Sequence, residues 1–174
     1  EEAEVSQPVI HIGVNKTAST TMQRHIFAKH PQIVYIGEDD AIWPQPEHQR
    51  LLKSLAWDDD LHYDAQRTQA FFCANYEQAR SSNRVLVYSN EDISRTRLPT
   101  VVAKRLKGLL PSAKILVVLR NQLTAVETWY DGHGRYVRDA PDPYFKKPVT
   151  FEDWWRYCTE IDPYYSPLAG FDYH

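Results

Sequence analysis

Long apolar runs are missing from this chain: none exceeds five residues, the length of Ile115 to Leu119, against the roughly 20 that a spanning helix needs. No membrane span is expected. Cysteine is almost as scarce. Cys73 and Cys158 lie 85 positions apart, too few for a disulfide framework and without the spacing of metal ligands, so both read as reduced thiols of a cytosolic protein. The 7 His residues form no H-x-x-x-H or H-E-x-x-H unit, and no metal is expected. Repeats, low-complexity tracts and linker-like stretches are also lacking, which predicts a single domain over residues 1–174. The start, Glu1-Glu2-Ala3-Glu4, is acidic and has no apolar signal-peptide core. A cytoplasmic, bacterial location is therefore the first expectation; the missing initiator Met keeps open a lumenal domain whose leader has been removed.

What is present is an ordinary globular composition. The chain has 174 residues, 43% hydrophobic and 25% charged, enough to bury a core and unlike a disordered, collagen-like or coiled-coil chain. The net charge of −3 is unevenly placed: residues 1–64 hold 5 basic and 11 acidic side chains, residues 65–174 hold 15 and 12. An anionic ligand would be drawn to the second part. Arg84, Arg95, Arg97, Lys104, Arg105, Lys107 and Lys114 stand against only Glu91 and Asp92 in 84–114, a pattern read as a solvated helix face. Aromatic residues concentrate late, from Trp129 and Tyr130 through Trp154 and Trp155 to Tyr165, as a core or a cleft wall. Adjacent tryptophans on a helix point in different directions, so one of Trp154 and Trp155 is expected in a core.

Secondary structure alternates. Pro8 to Gly13, Ile33 to Gly37, Arg84 to Ser89 and Lys114 to Leu119 read as short apolar strands; Thr20 to Lys29, Glu47 to Trp57, Asp64 to Ser81, Leu98 to Leu110, Gln122 to Val137 and Thr150 to Cys158 read as helices. Pro99 suits a first helical turn. Leu123, Val126, Tyr130 and Val137 fall in helical register. Residues 38–47 and 139–148 read as loops. Continuous apolar strands alternating with helices imply an α/β fold, a central parallel sheet with helices on both faces. Such sheets bind ligands beyond the carboxyl ends of their strands. Three strands are followed at once by polar, chemically capable residues: Asn15-Lys16-Thr17, Asn90-Glu91-Asp92 and Arg120-Asn121.

The loop Gly13-Val14-Asn15-Lys16-Thr17-Ala18-Ser19-Thr20-Thr21 joins a strand to a helix start. Free backbone N–H groups and the positive end of the helix dipole favour an anion there, Lys16 adds a charge, and the hydroxyls add donors. A helix cap by Ser19 or Thr20 is the plainer reading. The Lys comes too early for the nucleotide-triphosphatase loop, which places Lys after its second Gly.

Together with the strand that precedes it, K-T-A-S-T-T resembles the phosphosulfate-binding loop of sulfotransferases that use 3′-phosphoadenosine 5′-phosphosulfate, a P-loop-like α/β family of which the bacterial and Golgi carbohydrate-type members are nearest in pattern. Ala18 stands where that family usually has Gly, and Thr21 where many members carry an aromatic that stacks near adenine. Arg120 at a strand end, with Thr128 eight positions on, is similar to the family's 3′-phosphate motif. The string Ser89-Asn90-Glu91 is similar to the S-x-E that supplies a catalytic base in the carbohydrate-type members; Asp92 is the other candidate carboxylate, and a helix N-cap by Asn90 or Asp92 the plainer role for this turn.

The resemblance implies a donor site of Lys16, Thr17, Ala18, Ser19, Thr20, Thr21, Arg120 and Thr128, with Lys16 and Glu91 catalytic and no metal. It implies transfer of a sulfuryl group to a hydroxyl, most readily of a carbohydrate, and no nucleic-acid partner. It also implies a chain short of the C-terminal strand that relatives usually have. An inactive nucleotide-binding module and a P-loop small-molecule kinase are the alternatives. His11 reads as an interior residue, and Asp131-Gly132-His133-Gly134-Arg135 as an interruption near a helix end.

Overall fold

The structure, a computed structural model, describes residues 7–13, 17–37, 46–135 and 148–161. Contacts divide the chain into two compact units, Glu1–Gly13 with Ala18–Val118, and Val14–Thr17 with Leu119–His174.

The first unit is built on four parallel strands, β1 (Val9–Gly13), β2 (Ile33–Gly37), β3 (Val85–Ser89) and β4 (Lys114–Val118), in the order β2-β3-β1-β4. Each strand is rich in Val and Ile, whose branched side chains fit a pleated surface. Every connection must cross over to start the next strand in the same direction, and the helices between strands supply the length. Alternate residues of the strands face opposite ways. Val9, Tyr35 and Val87 cluster with Met22 and Phe27 of the helix after β1. Ile10, Val34, Ile36, Leu86 and Tyr88 pack with Leu52 and Leu55 of α2 (Pro46–Trp57), Phe72 of α3 (Ala65–Ser81), and Val102 and Leu106 of α4 (Pro99–Leu109). The α/β reading therefore holds, with helices on both sides of a parallel sheet. Asp64 caps α3 by accepting from Arg67 N at 3.0 Å, and Pro99 opens α4.

Two expectations need correction. The Ile115 to Leu119 run read as a buried strand, yet Ile115, Leu116 and Val117 are 56%, 39% and 48% exposed. An edge strand has a sheet neighbour on one side only, and among the described residues β4 pairs with β1 alone; an apolar run cannot reveal which strand ends at the edge. Arg105, grouped by sequence with a solvated basic face, is buried. It donates to Leu55 O (3.2 Å) and Asp58 O (2.7 Å), meets the Asp60 carboxylate at 2.8 Å, and lies 3.9 Å over the Tyr63 ring. It ties the α2–α3 connection to α4. Asp60 is largely exposed, so the carbonyl bonds and ring contact carry most of the effect. Replacing Arg105 with Ala is expected to destabilise this unit by about 2–4 kcal/mol, read by chemical denaturation.

The second unit contains α5 (Gln122–Trp129), α6 (Phe151–Arg156) and the π-helical turns that follow them, Tyr130–Gly134 and Tyr157–Ile161. Asn121 starts α5 by accepting from Leu123 N at 3.0 Å, and Thr150 starts α6 by accepting from Asp153 N at 3.2 Å. Val126, Val149, Trp154, Tyr157 and Cys158 form its core, with Trp129 and Tyr130 against it. Trp154 is buried, whereas Trp155 is exposed and stacks on Phe151. Leu123 is corrected to an exposed residue, because the packed side of α5 runs through Ala125 and Val126 and leaves its first turn outside. Val137, Tyr144, Phe145, Tyr164 and Tyr165 lie outside the described residues, as do most of the loops at 38–47 and 139–148. No helix of the described residues is long and apolar enough to cross a membrane.

Candidate functional site

β1 ends at Gly13, and the reason for a glycine is steric. A Cβ there would collide with the Ser19 hydroxyl, would lie 2.9 Å from Ser19 Cβ and would touch Glu91 Cγ at 3.4 Å. The space a side chain would fill is thus bounded by one hydroxyl residue from the helix start and one carboxylate residue from the end of β3. Ser94 closes the same corner, its Oγ 3.1 Å from Gly13 O and 2.8 Å from Glu91 O.

The loop after Gly13 places its residues unequally. Lys16 lies outside the described residues. Thr17 is buried and belongs to the second unit. Ala18 has φ 63° and ψ 23°, the left-handed region, and helix α1 (Ser19–Thr21) starts after it with no side-chain cap. The capping role for Ser19 or Thr20 is therefore not adopted. Ser19 is buried, Thr20 and Thr21 are exposed, and the helix continues as a π-helical segment, Met22–Phe27. A Cβ in the left-handed region costs about 1–2 kcal/mol, and Gly returns part of that through its freer unfolded chain. Ala18→Gly is expected to stabilise the protein by about 0.5–1 kcal/mol in a thermal or urea melt, an unusual direction for a mutation to Gly.

Glu91 opens a 3₁₀ turn, Glu91–Ser94, capped by Asn90, whose Oδ1 accepts from Asp92 N at 2.7 Å. Asn90 is fully buried and donates to Tyr88 OH at 2.9 Å. The plainer role thus falls to Asn90. Asp92 is engaged elsewhere: its carboxylate accepts from Trp57 Nε1 at 2.7 Å and faces Arg95 at 3.8 Å. Glu91 is the carboxylate that meets Gly13.

Beneath this corner His11 is completely buried. Its Nδ1 lies 2.7 Å from Ser89 Oγ, which also accepts from Gln23 Nε2 at 2.9 Å, and Phe27 meets the ring edge-on. Burial holds the imidazole pKa below its ordinary value of 6.5. The unfolded chain takes up a proton near pH 6.5 while the folded one resists it, so stability should fall as the pH drops below about 6.5. The slope from this group reaches at most about 1.4 kcal/mol per pH unit. Urea melts from pH 7.5 to 5 should show a shallower loss for His11→Asn than for the native chain.

In the second unit Arg120 Nε reaches Thr124 Oγ1 at 3.3 Å, and Thr128 Oγ1 donates to Thr124 O at 2.7 Å. Residues four apart share a helix face, so Thr124 and Thr128 lie along one side of α5, at the end met by Arg120. Thr128 spends its hydroxyl proton on the backbone and offers lone pairs outward.

Ser19 and Glu91 are brought together at Gly13; Arg120 and Thr128 are linked through Thr124. Sequence reasoning overlooked Thr124, Gln23 and the part played by Ser89. The signals were spacings: Thr124 is four positions from both Arg120 and Thr128, and Gln23 is four from Ser19. A cavity of about 500 Å³ beside α4, lined by Ile10, Ile12, Val102, Leu106 and Ile115, contains none of the candidate residues. Lys107 is the one charged residue in its otherwise apolar lining. Among the described residues no group of three or more His, Cys, Asp or Glu is placed to hold a metal ion. In comparisons with known proteins, the chain matches no family model, no curated protein and no solved structure. It is an α/β protein in which Ser19 and Glu91 both pack beside Gly13, where β1 ends.

Proposed function

We propose that the protein is a sulfotransferase, moving a sulfuryl group from 3′-phosphoadenosine 5′-phosphosulfate to a hydroxyl acceptor, in particular of a carbohydrate. One observation carries the reading: at the carboxyl end of β1, Gly13 has no Cβ, so the Ser19 side chain packs against the strand end with Glu91 beside it. That is where parallel sheets bind ligands, and a helix starts there at Ser19, an end that suits an anionic oxygen.

Each residue then has a chemical task. The backbone amides of Thr17 to Thr20, with the hydroxyls of Ser19 and Thr20, hold the donor's 5′-phosphate, and Arg120 grips the 3′-phosphate through its planar fork. Thr128 stays in this site as a neighbour of Arg120, and Ala18 and Thr21 line the loop. Glu91 takes the proton of the acceptor hydroxyl as its oxygen bonds to sulfur. The bond from sulfur to the bridging phosphate oxygen breaks, and Lys16 neutralises charge growing on that oxygen. Positioning and electrostatics supply most of the acceleration, as in phosphoryl transfer. The test is transfer of label from sulfur-labelled donor to a panel of mono- and oligosaccharides: labelled sugar is expected, and label appearing only as free sulfate, or not moving, would count against the reading.

A further inference from the structure

Three polar side chains occupy the layer directly beneath the Gly13 corner, and each is close in sequence to one of its members. His11 precedes Gly13 by two residues on β1, the spacing at which strand residues face the same way, and Ser89 ends β3 two residues before Glu91 opens its turn. Gln23 follows Ser19 by four, the spacing that stacks residues on one side of a helix. His11 and Ser89 are direct partners in the β1–β3 register. Ser89 Oγ is the hub, 2.7 Å from His11 Nδ1 and 2.9 Å from Gln23 Nε2, and His11, Ser89 and Gln23 are 0%, 0% and 6% exposed.

Packing alone does not account for this set. The neighbouring positions on the same side of the sheet, Val9, Tyr35 and Val87, are apolar or aromatic and pack on Phe27. Apolar residues at 11, 23 and 89 would fill the space with no polar group to satisfy. Instead the set leaves a polar atom unsatisfied: His11 Nε2 is buried and has no hydrogen-bond partner among the described residues, a state that burial penalises. Hydrogen bonds are directional where apolar contacts are not, and through Ser89 they link three elements: β1, β3 and the helix after β1. Asn90 N adds a fourth link, donating to His11 O at 3.2 Å.

We propose that His11, Gln23 and Ser89 form a buried positioning layer that fixes the Ser19 helix start and the Glu91 turn against the end of β1. The proposal rests on the sulfotransferase reading in taking Ser19 and Glu91 as working groups of the site. Gln23 transmits the register of the helix, His11 that of β1, and Ser89 that of the base-bearing turn. None of the three touches substrate.

Amide hydrogen exchange tests the layer without reference to catalysis. In Ser89→Ala, the amides of the Gln23–Phe27 segment and those of Asn90 and Asp92 should exchange at least tenfold faster together, while β2 exchanges at the native rate. Gln23→Met should reproduce the pattern, and it carries the test if Ser89→Ala does not fold. His11→Asn, which keeps a polar atom near the Nδ1 position, should stay close to native where His11→Leu does not. Acceleration in only one of the two segments, equal acceleration in β2, or native behaviour of His11→Leu would each overturn the proposal. A titration with 3′-phosphoadenosine 5′-phosphate separates the two ideas: if the native chain does not bind it, the sulfotransferase reading fails while the exchange pattern still decides the layer.

Discussion

Glu91→Gln should lower sulfuryl transfer by roughly 10²- to 10⁴-fold, the contribution expected of a positioned general base, while affinity for 3′-phosphoadenosine 5′-phosphate changes by no more than about twofold. The substitution preserves shape, so the packing of this side chain on Gly13 and the turn capped by Asn90 remain. Only the capacity to take a proton is lost. Asp92→Asn is the matched control. Its carboxylate is occupied by Trp57 Nε1 and Arg95, so its loss should appear in stability and leave the rate within a few-fold of native. Measuring single-turnover transfer and nucleotide affinity on both variants separates the roles. A Glu91→Gln enzyme with native rate would remove it as the base, and an Asp92→Asn enzyme with the large rate loss would move the role one residue along.

Arg120→Ala should weaken 3′-phosphoadenosine 5′-phosphate binding by about 10- to 100-fold. Hydrogen bonds to a charged partner contribute about 1.5–3 kcal/mol each, and every 1.4 kcal/mol is tenfold in affinity. Arg120→Lys should recover only part of the loss, because a point charge does not reproduce the two-donor fork. Thr128→Ala should cost less than Arg120→Ala, since the Thr128 hydroxyl proton already bonds Thr124 O. Adenosine 5′-phosphate, which lacks the 3′-phosphate, should bind the native and Arg120→Ala proteins alike. If Arg120→Ala weakened both nucleotides equally, Arg120 would not be a 3′-phosphate ligand.

The sheet was the most legible part of the sequence. Short runs rich in Val and Ile, each closed by Gly, Ser-Asn or Arg-Asn, locate the strands within a residue or so of Val9–Gly13, Ile33–Gly37, Val85–Ser89 and Lys114–Val118. Local pattern carries no information on strand order, which is why β4 read as buried and stands at the edge. Arg105 was misread for a related reason. A basic residue among basic neighbours looks solvated, and only the fold brings Leu55 O, Asp58 O and the Tyr63 ring to it.

Of the residues just past the strand ends, Glu91 is found beside Gly13, while Lys16 lies outside the described residues. The steric role of Gly13 was not legible in the sequence, since it depends on Ser19 and Glu91 arriving from elements far apart in sequence. His11 was read correctly as interior, but its pairing with Ser89 spans 78 positions and leaves no periodic trace. Ala18 was noted as a departure from glycine, and its left-handed backbone gives that departure an energetic meaning.

Binding of the phosphosulfate nucleotide by this chain can be measured by calorimetric titration of the native protein with 3′-phosphoadenosine 5′-phosphate. Saturable binding with one nucleotide per chain, lost or strongly weakened when the 3′-phosphate is absent, is expected. No heat of binding at millimolar nucleotide, or equal binding of adenosine 5′-phosphate, would contradict it.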